Sequence, residues 1–198
     1  IKNTHYIIKN ILILRLNIKI IIFVILNMDD KIDKINFNGQ MSDKYILDVC
    51  CGGKMMWFDK DNKDTLFCDI RECEKGHITH CPNWECKPDV IADYRDLPFP
   101  DNSFKLIVWD IPHMIKETSG IISKKYGSLG DNWKEDTKKA FNSIWSKLDN
   151  HGTLIFKYSD LNIPVNEMLK LFPVKALFGT RSKKAVNSTY WIVFFKNQ

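Results

Sequence analysis

Short apolar runs alternate along the chain with polar stretches that are rich in Gly, Pro, Asn and Asp. Runs of a few apolar residues that are bounded in this way are typical of strands buried in a sheet. We predict strands at Tyr45–Val49, Thr65–Asp69, Val90–Ala92, Phe104–Trp109, Thr153–Tyr158, Ala176–Phe178 and Tyr190–Phe195.

The segments between these runs contain two helical patterns. Apolar residues recur every three to four positions over Trp133–Leu148, and Val165–Phe172 lies between two prolines, so we predict a helix at each. Lys54–Lys60 is predicted to be a short helix or a loop, and Pro112–Asp131 a long loop. Strands that alternate with crossovers indicate an α/β domain with a doubly wound, mostly parallel sheet.

An aspartate lies at or near the end of each of the first four strands: Asp48, Asp69, Asp93 and Asp110. In a parallel sheet the carboxyl ends of the strands meet at one edge, and ligands bind beyond that edge. Surface acids without a common role would be scattered along the sequence. The four aspartates therefore predict a binding site at this edge of the sheet.

A glycine-rich turn follows the first strand, in the stretch YILDVCCGG over 45–53. Gly52 and Gly53 can adopt positive φ, and without side chains they let a ligand approach the backbone. Asp69 follows 21 positions after Asp48, which is the layout of a site for a nucleotide ribose. The turn continues as KMM without a third glycine, and this disfavours a nicotinamide dinucleotide.

The net charge of +5 is concentrated at the start of the chain. Residues 1–27 carry four basic residues and no acid, and the remainder carries 25 basic and 24 acidic residues. The main domain is therefore near neutral, and its charge does not predict a nucleic-acid footprint. Six cysteines, two of them adjacent in the glycine turn, suit a reduced, cytoplasmic compartment better than a disulfide scaffold.

Residues 1–27 differ from the rest of the chain. Ile11–Leu26 is apolar but spans only 16 residues and is interrupted by Arg15, Asn17 and Lys19, whereas a membrane helix needs about 20 apolar residues. We interpret the segment as a non-native or disordered leader; a non-native leader would be either translated in error from upstream of Met28 or an expression artefact. A membrane anchor and an additional amphipathic or strand element are the alternatives; we expect no membrane partner if the leader is not native.

A loop rich in cysteine and histidine follows the second strand. Zinc takes four thiolate or imidazole ligands, and Cys73, His77, Cys81 and Cys86 have workable spacings. No close C-x-x-C pair is present, so our expectation is that no metal is bound, with this set as the zinc alternative.

Five motifs follow one another along the chain: LDVCCGG at 47–53, FCDIRE at 67–72, DVIADYRDLPFPDNSFKLIVWDIPH at 89–113, KKYGSL at 124–129 and GTLIFKYSD at 152–160. Together they resemble the class I S-adenosylmethionine-dependent methyltransferases, in particular the small enzymes of bacteria and their phages. The resemblance implies a single Rossmann-like methyltransferase domain over 28–198 with S-adenosylmethionine as cofactor.

The resemblance also implies which residues bind the cofactor. They are Asp48, Cys50, Gly52, Gly53, Asp69, Ile70, Asp93 and Tyr94. Asp48 and Gly52 would line the methionine end, Asp69 would hold the ribose hydroxyls, and Asp93 with Tyr94 would face the adenine. A carboxylate accepts hydrogen bonds from hydroxyl and amino groups, so the residue types suit these roles.

The tetrapeptide at 110–113 stands where amino-group methyltransferases carry Asp or Asn, two prolines and an aromatic residue. Asp110 and the carbonyl of Ile111 would accept from the acceptor amine, Pro112 would stiffen the turn, and His113 would stack on a planar substrate. Ile111 departs from that pattern by replacing the first proline. The implied function is methylation of an amino group on a nucleobase or another planar substrate.

Two questions remain open at this stage. The substrate is unknown, with nucleic acid as one candidate partner, and the Pro112–Asp131 loop is the candidate recognition segment. The alternative function is that of a non-catalytic domain of the same fold that binds a nucleotide or a partner.

We predict that a chain starting at Met28 folds and is soluble, because the motifs and strands all lie after this residue. Thermal or chemical unfolding of the truncated chain, followed by circular dichroism, is the measurement. Loss of the cooperative transition on truncation would contradict the prediction.

Overall fold

The structure, a computed structural model, describes residues 44–180 and 188–197. The predictions for residues 1–27 lie outside the described residues.

The described part of the chain contains seven strands and three helices. The strands are β1 Ile46–Asp48, β2 Thr65–Asp69, β3 Val90–Ile91, β4 Phe104–Asp110, β5 Leu148–Ser159, β6 Phe178–Gly179 and β7 Thr189–Phe195. The helices are α1 Ile121–Tyr126, α2 Trp133–Lys147 and α3 Val165–Leu169.

The strands form one sheet in the order β3-β2-β1-β4-β5-β7-β6. The first five strands pair in parallel, while β7 runs antiparallel to both β5 and β6. The order reverses at β1, which lies between β2 and β4, and such a switch point is where open α/β sheets bind ligands. The predicted fold class, an α/β domain with a doubly wound, mostly parallel sheet, is confirmed.

The register of β1 explains why the strand-end aspartates converge. Asp48 pairs with Phe67 on one side and with Val108 on the other. Both neighbouring strands continue for two more residues, to Asp69 and Asp110. These two carboxylates therefore flank the glycine turn that leaves β1.

The predicted helix in the middle of the chain is confirmed, because Thr137, Ala140, Phe141 and Ile144 form the buried face of α2. The 112–131 segment was predicted as a loop throughout, but it contains α1, a short helix followed by Gly127 at φ 73°. Periodicity could not reveal α1, because one buried side chain, Ser123, is all that this helix contributes to the interior. The 54–60 stretch is a series of turns, in agreement with the loop alternative.

An aromatic cluster holds α2 against the sheet. The Phe141 ring stacks on Phe172 at 4.5 Å, and Trp109 of β4 contacts Phe156 of β5 at 4.9 Å between ring centroids. Phe194 of β7 completes the cluster through edge contacts with Phe141 and Phe172. Buried aromatic rings contribute much of the hydrophobic stabilisation of a core, and this cluster keeps β4 and β5 in register below the site.

None of the helices in the described ranges is both long and apolar enough to cross a membrane.

Candidate cofactor and substrate site

Two adjoining cavities lie beyond the carboxyl ends of β1, β2 and β4. The first has a volume of about 320 Å³ and is bounded by the glycine turn, Asp110, His113 and Lys157. The second lies beside Ile70, Asp93, Tyr94 and Pro112. Both cavities share the side chains of Cys50, Asp69, Arg71 and Tyr126, so they form one continuous cleft. Every predicted catalytic and cofactor residue lines this cleft except Asp48.

Asp48 lies beneath the glycine turn. Its side chain has no exposed surface, and its two carboxylate oxygens accept hydrogen bonds from Trp57 Nε1 at 2.7 Å and from the Cys50 amide at 3.2 Å. Burial raises the pKa of Asp48 to about 7. Asp48 therefore holds the turn through its hydrogen bonds, and its side chain lines neither cavity. Its expected role at the methionine end of a cofactor stays a prediction.

The two glycines of the turn have different reasons to be glycine. Gly52 has φ +49°, a conformation that side chains disfavour, and open space surrounds the position a Cβ would take. A Cβ on Gly53 would lie 2.6 Å from Nε1 of Trp84. Gly52 thus leaves room for a ligand at the backbone, whereas Gly53 is required for packing against Trp84.

Asp69 is buried at the end of β2 and links three parts of the site. Its Oδ2 accepts from the Gly52 amide at 2.9 Å, and its Oδ1 accepts from the Arg71 amide at 3.0 Å. The Arg71 guanidinium lies 3.4 Å from the same Oδ1 and also donates to the carbonyls of Lys124 and Lys125 in α1. A carboxylate offers about four acceptor positions, so one position on Asp69 is left for a ribose hydroxyl beside the arginine.

Asp93 has no acceptor position left for a ligand, counting its partners among the described residues. Its two oxygens accept from the Arg95 backbone amide, from Nε and from the terminal guanidinium nitrogen at 2.7 Å, and Arg95 also pairs with Asp136 of α2. Burial raises the pKa of Asp93, but the bonds from Arg95 outweigh it and the pKa is lowered. The expected contact of Asp93 with an adenine amino group would require Arg95 to move. Tyr94, packed against Trp109 at 5.8 Å, presents a ring to the second cavity.

Asp110 ends β4 in an ion pair. Its Oδ2 lies 2.5 Å from Nζ of Lys157, the residue opposite it in the β4–β5 register. Its Oδ1 is buried, and no group among the described residues donates a hydrogen bond to it. A buried acceptor without a donor costs about 1–3 kcal/mol, so this oxygen is suited to a donor that the ligand brings.

His113 lies beside that free oxygen. Its Nδ1 accepts from the Ser159 amide at 3.3 Å, and its Nε2 is 3.6 Å from Asp110 Oδ1, which is beyond hydrogen-bond distance. Burial lowers the pKa of His113. The ring packs edge-on against Tyr158, so a neutral imidazole of fixed orientation forms one wall of the first cavity.

Sequence reasoning did not identify Lys157 and Arg71 as parts of the cleft, whereas Lys125 and Tyr126 of α1 lie in the predicted recognition segment over 112–131. Lys157 was detectable as a charge within an otherwise apolar strand. Arg71 and Arg95 share a pattern, since each stands two positions after a strand-end aspartate and donates both its amide and its side chain to it.

The structure does not bring the four residues of the zinc alternative together. Cys51, Asp69 and Cys86 form a different group of possible ligands among the described residues. Their ligand atoms lie within 4.8 Å of one another. Cys73 and Cys86 face each other across a two-residue antiparallel bridge, while His77 points to solvent.

Neither a known family model nor a curated protein sequence matches the chain. Among solved structures, it is similar to the PH0226 protein of Pyrococcus horikoshii OT3, with 16% identity, a TM-score of 0.47, and coverage of 77% of this chain and 81% of that chain. It is similar to an rRNA methylase from Streptococcus thermophilus, with 13% identity, a TM-score of 0.47, and coverage of 80% of this chain and 93% of that chain. It is also similar to the cyclase SpnF, with 16% identity, a TM-score of 0.41, and coverage of 77% of this chain and 57% of that chain. Likenesses of this size assign neither a reaction nor a substrate.

The raised pKa of Asp48 predicts a pH-dependent stability. Because the folded pKa is about 7 and the usual value is 3.8, the folded chain binds the extra proton, and stability is lost as pH rises from about 4 to about 7. Between pH 5 and 8 wild type should lose roughly 2–3 kcal/mol of unfolding free energy relative to Asp48→Asn. Urea unfolding of both proteins at each pH is the measurement, and parallel profiles would contradict the prediction.

Proposed function

We propose that the chain is an S-adenosylmethionine-dependent methyltransferase that acts on an amino group of a planar substrate. The observation that carries the proposal is the buried Oδ1 of Asp110, an acceptor to which no described group donates, on a side chain that lines the cleft beside the glycine turn. An amino group is a donor that could satisfy this oxygen and is also the group to be methylated.

The geometry around Asp110 suits the chemistry of an aromatic amine. The lone pair of such an amine is delocalised into the ring, so the nitrogen is a weak nucleophile until its N–H bonds are held. Asp110 Oδ1 would accept one N–H and the Ile111 carbonyl the other, which turns the lone pair toward the methyl group. Lys157 contributes by occupying Oδ2 and fixing the orientation of the carboxylate. His113, held by Ser159, would pack against the face of the ring.

The cleft has the chemical features that the cofactor needs. Gly52 leaves open space beside the backbone, Asp69 retains acceptor capacity for a ribose hydroxyl, and Tyr94 offers an aromatic ring for the adenine. The bound cofactor would supply an electrophilic methyl group. Cys50, at the junction of the two cavities, would lie against it as a neutral thiol, because burial raises the pKa of Cys50.

A nucleobase, free or within a nucleic acid, is the planar substrate that the rim of the cleft favours. The α1 helix places Lys125 and Tyr126 at the first cavity, and Lys124 beside them is exposed. A tyrosine ring can stack on a base, and a lysine can pair with a phosphate. A methylation screen with labelled cofactor over DNA, RNA and nucleotides tests this proposal.

The alternative is a non-catalytic domain that only binds a nucleotide or a partner. Binding alone would not require a buried carboxylate at the end of β4 with one oxygen unpaired. Turnover to S-adenosylhomocysteine in the presence of a substrate separates the two functions.

Asp69 should be important for cofactor affinity. A hydrogen bond to a charged group contributes about 1.5–3 kcal/mol, so Asp69→Asn should weaken S-adenosylmethionine binding about 10- to 150-fold in a calorimetric titration. Asp89→Asn is the matched control, since Asp89 accepts from the β2 backbone but lies outside the cleft. Equal affinities for the two variants would place the cofactor elsewhere.

Asp110 should be important for turnover and not for cofactor affinity. If it aligns the amine in the transition state, Asp110→Ala should lower the single-turnover rate on the order of 100- to 1000-fold, with cofactor affinity unchanged. The measurement is transfer of labelled methyl to the substrate found in the screen.

The opposite end of the same strand pair offers a matched control. Lys105 of β4 and Asp149 of β5 form an ion pair like that of Lys157 and Asp110, but at the surface and far along the strands from the cleft. Asp149→Ala should leave the rate unchanged. Equal rates for wild type and Asp110→Ala would mean that the tetrapeptide has a structural role.

A further inference from the structure

Three cysteines form a connected series that runs from the surface to the glycine turn. Cys73 is partly exposed, whereas Cys86 and Cys51 are buried. Cys73 and Cys86 exchange two backbone hydrogen bonds of 2.9 Å, so they are directly opposite each other. The Cys86 and Cys51 sulfurs lie within 4.8 Å of each other. Cys86 thus has a thiol neighbour on each side.

We propose that these cysteines are a site of thiol–disulfide exchange, in which a small-molecule disulfide oxidises Cys73 and the disulfide passes through Cys86 to Cys51. The Cα spacing suits the first bond, and a short approach of two sulfurs would form the second. A hydrogen-bonded antiparallel pair has its Cα atoms about 5.5 Å apart, which is within the range of about 4.4–6.8 Å seen in disulfides. The Cys51 and Cys86 sulfurs need to move together by no more than about 3 Å to reach bonding distance.

The exchange proceeds in three balanced steps. The Cys73 thiolate attacks glutathione disulfide, which leaves a mixed disulfide on Cys73 and releases one glutathione thiolate. The Cys86 thiolate then attacks the Cys73 sulfur and releases the second glutathione. Finally the Cys51 thiolate attacks the Cys86 sulfur, forms the Cys51–Cys86 bond and returns Cys73 to a thiol. The partly exposed Cys73 thiol loses its proton to solvent, each buried thiol passes its proton to the thiolate that departs in its step, and the two electrons go to glutathione disulfide.

Neighbouring groups favour a disulfide over a bound metal ion. Asp69 is the third member of the group around Cys51 and Cys86, but it already accepts from Gly52 and from the cationic Arg71. Burial raises the pKa of Cys73, so we expect slow exchange at neutral pH.

The Cys51–Cys86 bond would change the cofactor side of the cleft, an effect that rests on the proposed function. The two thiols now donate to the carbonyls of Gly52 and Arg71, at 3.7 Å and 3.3 Å. Oxidation removes both donors and draws the glycine turn toward the cysteine loop, beside the Asp69 carboxylate. The oxidised chain should therefore bind S-adenosylmethionine at least about tenfold more weakly, with affinity restored by dithiothreitol.

Peptide mapping by mass spectrometry tests the exchange site without reference to the cofactor. The reduced full chain is incubated with glutathione disulfide, and free thiols are alkylated at successive times. A Cys73–Cys86 peptide should appear first, followed by Cys51–Cys86. Cys73→Ser should slow formation of the second bond by about tenfold or more, since it removes the exposed entry thiol. Cys81→Ser is the matched control, because Cys81 packs against the same cluster but has no part in the series.

Several outcomes would overturn the proposal. Absence of a Cys51–Cys86 peptide, pairing of Cys86 with Cys81, or an unchanged rate in Cys73→Ser would each reject the exchange series.

Cofactor titration then separates the two proposals. A Cys51→Ser chain exposed to glutathione disulfide should keep the affinity of its reduced form. If the crosslink forms and affinity does not change, the effect on the cleft is rejected. If the reduced chain does not bind the cofactor at all, the proposed function fails while the mapping still decides the exchange site.

Discussion

The parallel pairing of β1 with both β2 and β4 is the constraint on which the site depends. In this register β1 ends at Asp48, two residues before β2 ends at Asp69 and β4 ends at Asp110. The turn after β1 therefore lies between these two aspartates. A slip of one residue in either pairing would reverse which side chains face the core and would move a carboxylate away from the turn. The aromatic cluster around Trp109, Phe156 and Phe141 packs β4, to which β1 pairs, against β5 and α2.

Four carboxylates at one edge of a sheet would repel each other if they stood alone. Three of them are balanced by cations: Asp69 by Arg71, Asp93 by Arg95 and Asp110 by Lys157. Asp48 has hydrogen-bond donors but no cation among its described partners, and burial raises its pKa. The edge is therefore close to electrically neutral, and what distinguishes the carboxylates is how much acceptor capacity each has left. Counting partners among the described residues, Asp110 keeps one oxygen free, Asp69 keeps part of one, and Asp93 keeps none.

Arg71 connects the two halves of the cleft. Its guanidinium lies against Asp69 and also donates to the last carbonyls of α1, where the helix dipole favours a cation. The segment that carries Lys125 and Tyr126 is closed at its base by backbone bonds from Leu129 to Met114 and from Gly130 to Ile115. Asp69 and α1 therefore share Arg71 as a common hydrogen-bond partner.

The sequence by itself determined the strands, the long helix and the placement of aspartates at strand ends, because local periodicity records which face of each element is buried. It also brought Asp110, His113 and Asp69 to one place, since parallel strands end at one edge. Only the tertiary structure decided which partner each carboxylate has. Lys157 reaches Asp110 from 47 positions away, and Arg71 reaches α1 across 53 and 54 positions. Likewise, position 53 requires glycine because a Cβ there would clash with Trp84, a residue of a distant loop. Such contacts depend on strand order, register and loop packing, which arise from the whole chain and leave no periodic trace in any local segment.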